Sequence, residues 1–365
     1  MLTDANEGFE SPRGTAARIW GMSALFLLIT VIIPGFVFVN ASSRSLDRTA
    51  REFLLPVLRP DPGFTTEVVV ATARHDPSFK LDAKATLDLF HSREYRIETV
   101  RSGETAVPRL VLTDLPTGMT ALEKSDDRKA LFVKTLLPLI LMANERIGQD
   151  RDRLRRLHVV KQGGQTLAPQ DRRWLAELAG RYGLKPDGEI NTKALLQRVD
   201  MVPVSLALAQ AAEESGWGTS RFAQKGNALF GQLTFKAEDE GIVPRNRRQG
   251  ETHRFKSFDD PKGSVESYIH NLNTHRAYTQ FRQMRASLRA QDKPMEGLML
   301  VNALGAYSER GEDYLRTIRS LIRVNALSDF DKAVLSEDQM EEVLGPRTRA
   351  EMARDHGVVP ASLRR

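Results

Sequence analysis

The sequence predicts a mainly α-helical protein that contains one exposed hairpin or loop and is preceded by one transmembrane helix. Residues 19–39 contain no charged side chain, several segments between 125 and 325 carry apolar side chains at helical spacing, and residues 234–257 are polar, contain glycine and are rich in arginine. Hydrophobic residues make up 41% and charged residues 27% of the chain, a balance that favours a folded body over a disordered one.

The composition and motifs of the chain limit the kinds of partner and cofactor that we expect it to bind. The net charge of +6 is mild, and the sequence contains neither a zinc-finger spacing nor a glycine-rich phosphate loop, so we predict no nucleic-acid or nucleotide partner. The absence of cysteine excludes a cysteine nucleophile, a disulfide and a cysteine-ligated metal. No H-E-x-x-H motif occurs, and His270 and His275 are spaced wrongly for one helical face. The sequence therefore predicts no metal and no cofactor.

Residues 19–39 have the length and composition of a membrane anchor. A helix of about 20 apolar residues crosses a bilayer, and Trp20 stands at the start of the segment, where interfacial aromatic residues are common. Basic residues flank the segment almost equally, so the predicted orientation rests on the short preceding tail and the long following body. We expect an uncleaved signal anchor with the tail inside and the body outside. A signal cleaved near residues 39–41 and a buried core helix are the alternatives.

Residues 40–120 are interrupted by prolines and contain two short strand-like runs, at 66–70 and 109–112. A spacer and a small accessory region both fit this composition. Helical periodicity begins near Ser125, which marks the start of the main domain. The predicted divisions of the chain are an N-terminal tail at 1–18, the anchor at 19–39, the spacer or accessory region at 40–120, the main domain at 121–330 with its core at 165–330, and a C-terminal tail at 331–365.

The main domain is predicted to be a succession of helices. Asp126 or Asp127 caps a long first helix that continues to about residue 157. Gly183 ends the second helix, and Pro203 suits the first turn of the fourth. The helices that follow the first are predicted at 169–184, 191–199, 203–214, 261–290, 294–304 and 309–325.

The end of the helix predicted at 203–214 and the residues after it read A-A-E-E-S-G-W-G, and this stretch suggests a catalytic carboxyl group. Gly216 suits the left-handed residue that stops a helix, and Glu214 lies one turn beyond Gln210 on the same side. The negative end of the helix dipole, the neighbouring Glu213 and exclusion of water by Trp217 would each raise the pKa of Glu214. A carboxyl group that is protonated near neutral pH suits the general acid of a glycosidase. A surface position for both glutamates is the alternative.

At these residues the sequence resembles a known family. E-S-G-W-G at 214–218 and N-A-L-F-G at 227–231 lie within a longer stretch, 202–232, that is similar to the bacterial glucosaminidases that cut peptidoglycan, glycoside hydrolase family 73, and most of all to their Bax-type branch. The similarity continues through 264–278 and 307–315 and, more weakly, reaches back to 128–145. It covers roughly residues 105–330.

The resemblance implies a lysozyme-like helical domain with a small β-hairpin lobe, in which a groove binds the glycan strands of peptidoglycan. The general acid of the family falls on Glu214. A second, less regular acidic residue lies on the hairpin, where Glu251 is the first candidate and Glu240 the second. The tyrosines of the family fall on Tyr307 and Tyr314. The candidate site residues are Glu214, Glu251 and Tyr307 for catalysis, and Trp217, Asn227, Phe230, Glu240 and Tyr314 for substrate binding.

These features predict a membrane-anchored endo-β-N-acetylglucosaminidase that cleaves the β-1,4 bond after N-acetylglucosamine in peptidoglycan. It would be a single-pass protein of the bacterial cytoplasmic membrane, with its catalytic domain on the periplasmic or outer side. Three alternatives remain open: a lytic transglycosylase on the same fold, a non-catalytic peptidoglycan-binding protein, and an amidase, which the lack of cysteine and of evident zinc ligands disfavours. Phe230 and Trp217 fit a place in the core as well as contact with a sugar.

Overall fold

The computed structural model describes residues 81–184, 188–235, 239–245, 247, 250–338 and 341–343, all of which belong to one compact unit, Leu55–Arg365. The anchor predicted at 19–39 and the strand-like run at 66–70 lie outside these residues. Within the described part of the chain, every helix is too short or too polar to span a bilayer.

The described residues are mainly helical, as predicted. Eleven α-helices and five short strands follow one another, with single 3₁₀ turns at Met119–Ala121, Arg276–Tyr278, Val301–Leu304 and Leu327–Lys332. The helices are α1 Ala83–Ser92, α2 Ile97–Ser102, α3 Ser125–Gln162, α4 Pro169–Arg181, α5 Thr192–Arg198, α6 Val204–Ser215, α7 Arg221–Gly226, α8 Pro261–Thr274, α9 Thr279–Ala290, α10 Gly297–Leu300 and α11 Glu312–Val324. The strands are β1 Leu110–Leu112, β2 Leu233–Thr234, β3 Gly241–Ile242, β4 Arg254–Lys256 and β5 Glu341–Val343.

Helix α3 begins near the predicted position but is not capped as predicted. Lys124 occupies the N-cap position and makes no side-chain capping bond, so the capping role predicted for Asp126 or Asp127 is wrong. Both aspartates lie in the first turn instead, where their negative charge interacts favourably with the positive end of the helix dipole. The helix continues to Gln162 and spans 38 residues.

Two hydrophobic cores lie along α3. The main core surrounds α6, in which every residue from Val204 to Ala212 is buried, because small alanines alternate with leucines and let neighbouring elements approach on all sides. The smaller core is built from the second half of α3 together with α4 and α5, and its centre includes Leu154, Leu178 and Leu195. Residues from 83 to 119, including Phe90 and Val107, belong to the main core.

A buried charge cluster fixes the start of α6. Asp200 is 1% exposed and receives Arg289 from α9 at 2.8 Å and Arg151 from α3 at 3.4 Å. Arg285, which is fully buried, donates to the main-chain oxygens of Asp200 and Met201. Since a buried charge is tolerated only when it is paired and hydrogen-bonded, this cluster ties α3 and α9 to the turn that precedes α6.

The stretch predicted as a hairpin or loop at 234–257 contains a three-stranded antiparallel sheet in the order β2–β4–β3. Thr234 pairs with Arg254, and Ile242 pairs with Phe255. The central strand is tied to the segment after α7, because the amide of Lys256 donates to the main-chain oxygen of Gln232 at 2.8 Å. The sheet therefore flanks the residues that follow N-A-L-F-G.

Candidate active site

The end of α6 places Glu214 in its last turn. Gly216 adopts the left-handed conformation, with φ of 58°, and terminates the helix as predicted. Glu214 is half-buried and lies one turn after Gln210, which is fully buried. The helix thus presents an amide and a carboxyl group on one side, towards helices α8 and α11.

A chain of buried hydrogen bonds leads to the Glu214 carboxyl group. The hydroxyl of Tyr268 donates to Oε1 of Gln210 at 2.7 Å, and Nε2 of Gln210 donates to the hydroxyl of Tyr314 at 2.9 Å. The Tyr314 hydroxyl, which accepts this bond, is also hydrogen-bonded to Glu214. Because Gln210 already donates to the Tyr314 oxygen, the hydroxyl hydrogen of Tyr314 is available to the Glu214 carboxylate.

Aromatic rings surround this chain. Phe230 stacks on Tyr268 with ring centroids 3.9 Å apart, and Tyr307 stacks on Tyr314 at 5.5 Å. Tyr278 lies against Tyr307, with 6.0 Å between the centroids. Four tyrosines from two stretches of the chain, 268–278 and 307–314, therefore form an aromatic wall whose hydroxyl groups take part in hydrogen bonds.

Gly231 closes the opposite side of Glu214. A Cβ added at Gly231 would lie 2.8 Å from Oε2 of Glu214, closer than any side chain can approach without displacing the carboxyl group. Gly231 also has φ of 63°, in the left-handed region. Both observations explain why glycine ends the N-A-L-F-G motif: the backbone itself packs against the carboxylate.

Burial raises the pKa of Glu214 from its ordinary value of 4.5 to about 7, because desolvation disfavours the charged form. The hydrogen bond from Tyr314 opposes this shift, the charge of Glu213 adds to it, and the charge of Arg310 opposes it. The predicted direction is confirmed. The ring of Trp217, expected to exclude water, packs instead on α3, edge to face with Phe132 at 5.6 Å.

The two adjacent glutamates have different environments. Glu213 forms an ion pair with Arg310 at 2.5 Å, and Arg310 also donates to Thr317 at 2.9 Å. Glu213 therefore has a cationic partner at contact distance, whereas the contacts of Glu214 are a tyrosine hydroxyl and a glycine backbone. Two carboxyl groups in one helical turn thus lie in different electrostatic surroundings, one beside a guanidinium and one beside a neutral hydroxyl.

The tyrosine hydroxyls remain neutral donors. Burial raises the pKa of Tyr307 and Tyr314 well above the ordinary value, and it raises that of Tyr278 to about 12. Tyr307, predicted to be catalytic, donates to the main-chain oxygen of Phe230 at 3.0 Å. It thereby holds the backbone that leads to Gly231.

Two predicted substrate-binding residues are buried. Asn227 is 5% exposed, ends α7 with φ of 49°, and donates from Nδ2 to the main-chain oxygens of Phe258 and Asp259, each at 3.2 Å. Phe230 is 2% exposed under Tyr268. Both side chains are therefore engaged with the protein itself in this structure, and contact of either one with substrate stays a prediction.

The predicted hairpin carboxylates belong to the sheet. Glu251 is partly exposed in the segment before β4, and its Oε2 lies 3.8 Å from Nδ1 of His253. Glu240 is exposed just before β3, and its main-chain oxygen accepts from the amide of Ser257. Among the described residues, no group of three His, Asp or Glu side chains is arranged to hold a metal ion.

Sequence reasoning missed several residues around Glu214. Tyr268 and Tyr278 occur within the stretch 264–278 that carries the resemblance, yet nothing in their spacing shows that Tyr268 meets a helix 58 positions earlier in the chain or that Tyr278 meets Tyr307. The ion pair of Arg310 with Glu213 joins residues 97 positions apart and has no local signal in the sequence. Gln210 had a usable signal, because its spacing places it on the same side of α6 as Glu214.

The raised pKa of Glu214 makes a prediction about stability. The folded protein holds this proton more tightly than the unfolded chain, so the stabilisation is present below pH 4.5 and is lost as pH rises to about 7. Glu214→Gln has no such proton. The free energy of unfolding of Glu214→Gln minus that of wild type should therefore increase by about 2 kcal/mol between pH 4.5 and pH 8, a value reduced for solvent screening of a half-buried group.

Denaturant unfolding at a series of pH values measures this difference. Glu213→Gln is the matched control and should show a much smaller gain, because it keeps the Glu214 carboxyl group and removes only the smaller contribution that the Glu213 charge makes to its pKa. Parallel stability curves for wild type and Glu214→Gln would contradict the raised pKa.

Comparison with known proteins covers the part of the chain that holds this site. Residues 191–327, which include α6 and the whole tyrosine cluster, match the Glucosaminidase family model, described as mannosyl-glycoprotein endo-beta-N-acetylglucosaminidase. The chain is also 36% identical to Protein bax of Escherichia coli (strain K12) over 190 residues, which is 51% of this chain and 66%, just under two thirds, of that protein. Residues 191–327 therefore carry a domain of the Glucosaminidase family.

Proposed function

We propose that the protein is an endo-β-N-acetylglucosaminidase that hydrolyses the β-1,4 bond after N-acetylglucosamine in peptidoglycan. The observation that carries the proposal is the Glu214 carboxyl group, whose pKa burial raises to about 7 among aromatic rings at the end of α6. Membership of the glucosaminidase family supports a glycosidase with this class of substrate. A lysozyme-like arrangement, with the glycan between the helical part and the sheet, is part of the proposal.

Glu214 acts in this mechanism as the general acid. A pKa of about 7 keeps a substantial fraction of the carboxyl group protonated at neutral pH, and the proton passes to the glycosidic oxygen as the bond to the sugar breaks. The Tyr314 hydroxyl stabilises the carboxylate that remains. Charge develops on Glu214 as the proton leaves, so a neutral donor already in place assists the step.

The sugar cation that forms at the cleaved carbon requires a stabilising group. Glu251, Glu240 or the acetamido group of the substrate provides it or directs the attacking water. Both glutamates lie in the segments that connect the strands of the sheet beside Gln232. Glu251 lies shortly before the central strand β4, whereas Glu240 directly precedes the edge strand β3. Substituting each glutamate separately distinguishes these routes.

We further propose that residues 19–39 anchor the protein in the bacterial cytoplasmic membrane by a single span, with the catalytic domain on the outer side. The support is the uncharged length of the segment and Trp20 at its start. A periplasmic reporter fused after Arg365 would be active in this topology.

The products of digestion test the proposed reaction. Purified peptidoglycan treated with the full chain should release fragments with reducing N-acetylglucosamine ends, which mass spectrometry identifies by the uptake of water. Glu214→Gln should lose at least about 100-fold in turnover, while its neighbour Glu213→Gln should lose far less. Fragments ending predominantly in 1,6-anhydro-muramic acid would instead indicate a transglycosylase, and full turnover by Glu214→Gln would remove the general acid from the mechanism.

The close approach of Gly231 gives a second test. Gly231→Ala should reduce turnover by at least about tenfold, because the added methyl group would displace the carboxyl group of Glu214 from 2.8 Å away. Gly118→Ala is the matched control: Gly118 has φ of 69°, and a Cβ there would meet no atom within 4 Å. Both variants carry about 1–2 kcal/mol of backbone strain. Equal turnover in the two variants would contradict a catalytic requirement for this contact.

A further inference from the structure

A cavity of about 500 Å³ lies between α3, α8 and the central strand of the sheet, and we call it the α3–α8 cavity. Its volume falls within the range of about 300–1,000 Å³ that is usual for small-molecule sites. Residues from four elements line it, which makes it a feature of the assembled fold. The lining residues used below are Arg146, Asp150, Arg181, Lys256, Glu266 and Ser267.

The cavity adjoins the residue that follows Gly231. The side chain of Gln232 donates from Nε2 to the hydroxyl of Ser267 at 3.2 Å, and its main-chain oxygen accepts from the amide of Lys256 at 2.8 Å. Gly231 itself packs against the Glu214 carboxyl group. Gln232 therefore connects the backbone beside Glu214 to the wall of the cavity.

The charges in the cavity are not balanced. Arg181 pairs with Asp150 at 3.1 Å, and Arg146 lies 4.0 Å from Glu266. Lys256 is the third cation, and among the described residues it has no carboxylate at ion-pair distance; its amine lies 5.4 Å from the centre of the Phe258 ring. Because Lys256 belongs to the central strand of the sheet, its backbone is held in place by neighbours on both sides.

We propose that the α3–α8 cavity binds a carboxylate of the peptide that peptidoglycan carries on its muramic acid, and that Lys256 is the residue that recognises it. This inference rests on the proposed function, because only a peptidoglycan substrate would bring such a peptide past Glu214. The sugars of the strand are uncharged, whereas the peptide carries free carboxylates. An unpaired cation at the edge of the site would therefore select strands that bear a charged peptide over strands that do not.

The experiment uses the full chain and one substrate in two chemical forms: soluble glycan strands with their peptides intact, and the same strands after carbodiimide-driven conversion of the peptide carboxylates to amides. Wild type should cleave the charged form with kcat/KM about five- to tenfold higher than the amidated form, the range expected of one partly exposed charge pair. Lys256→Met should bring this ratio close to one, and Lys256→Arg should restore it.

Lys293→Met, which removes an exposed lysine at the end of α9, is the matched control and should keep the wild-type ratio. A soluble disaccharide peptide titrated by calorimetry should bind Lys256→Met more weakly than wild type, independently of turnover. A wild-type ratio of one, or an equal fall on both substrates in Lys256→Met, would overturn the inference and leave the proposed function intact. Absence of cleavage of both forms by wild type would instead contradict the proposed function.

Discussion

The site depends on the desolvated carboxyl group of Glu214, which among the described residues has a hydroxyl but no cation at contact distance. Removing a carboxylate from water is unfavourable, so the buried carboxyl group of Glu214 retains its proton to a higher pH. That requires α6 to be buried along most of its length, Gly231 to pack without a side chain, and Tyr314 to donate a single directed bond. The buried Asp200 cluster contributes from a distance, because it fixes where α6 begins.

The contrast between Glu213 and Glu214 shows how one helical turn separates two carboxyl groups. Adjacent residues point about 100° apart around a helix, so the pair faces two environments. Glu213 contacts the guanidinium of Arg310 at 2.5 Å, whereas Glu214 lies beside Tyr314 of the tyrosine cluster. An ion pair on Glu214 would lower its pKa and remove the proton that a general acid supplies, so the placement of Arg310 on Glu213 is as important as the burial of Glu214.

Local signals in the sequence predicted the helical class, the end of α6 at Gly216 and the direction of the pKa shift at Glu214, because each depends on residues within a few positions of one another. The contacts around Glu214 that accompany this pKa shift could not be predicted in the same way, because they join residues that are far apart in the chain. Tyr314 reaches Gln210 across 104 positions, and Trp217, expected beside Glu214, packs on Phe132 of α3. At 234–257 the sequence predicted a hairpin or loop rather than a three-stranded sheet, because each strand there has only two or three residues and shows no apolar alternation. Asn227 and Phe230 were predicted to bind substrate from their place in the motif, and their burial could not be predicted because it depends on elements distant in the chain, such as α8.

The central claim is that Glu214 keeps its proton up to about neutral pH. Carbon-13 NMR of protein labelled at the glutamate side-chain carboxyl, with Glu214→Gln used to assign the resonance, measures this directly. The account predicts one glutamate resonance that titrates with a pKa of about 7 and disappears in Glu214→Gln. A Glu214 resonance that titrates near the ordinary value of 4.5 would contradict it.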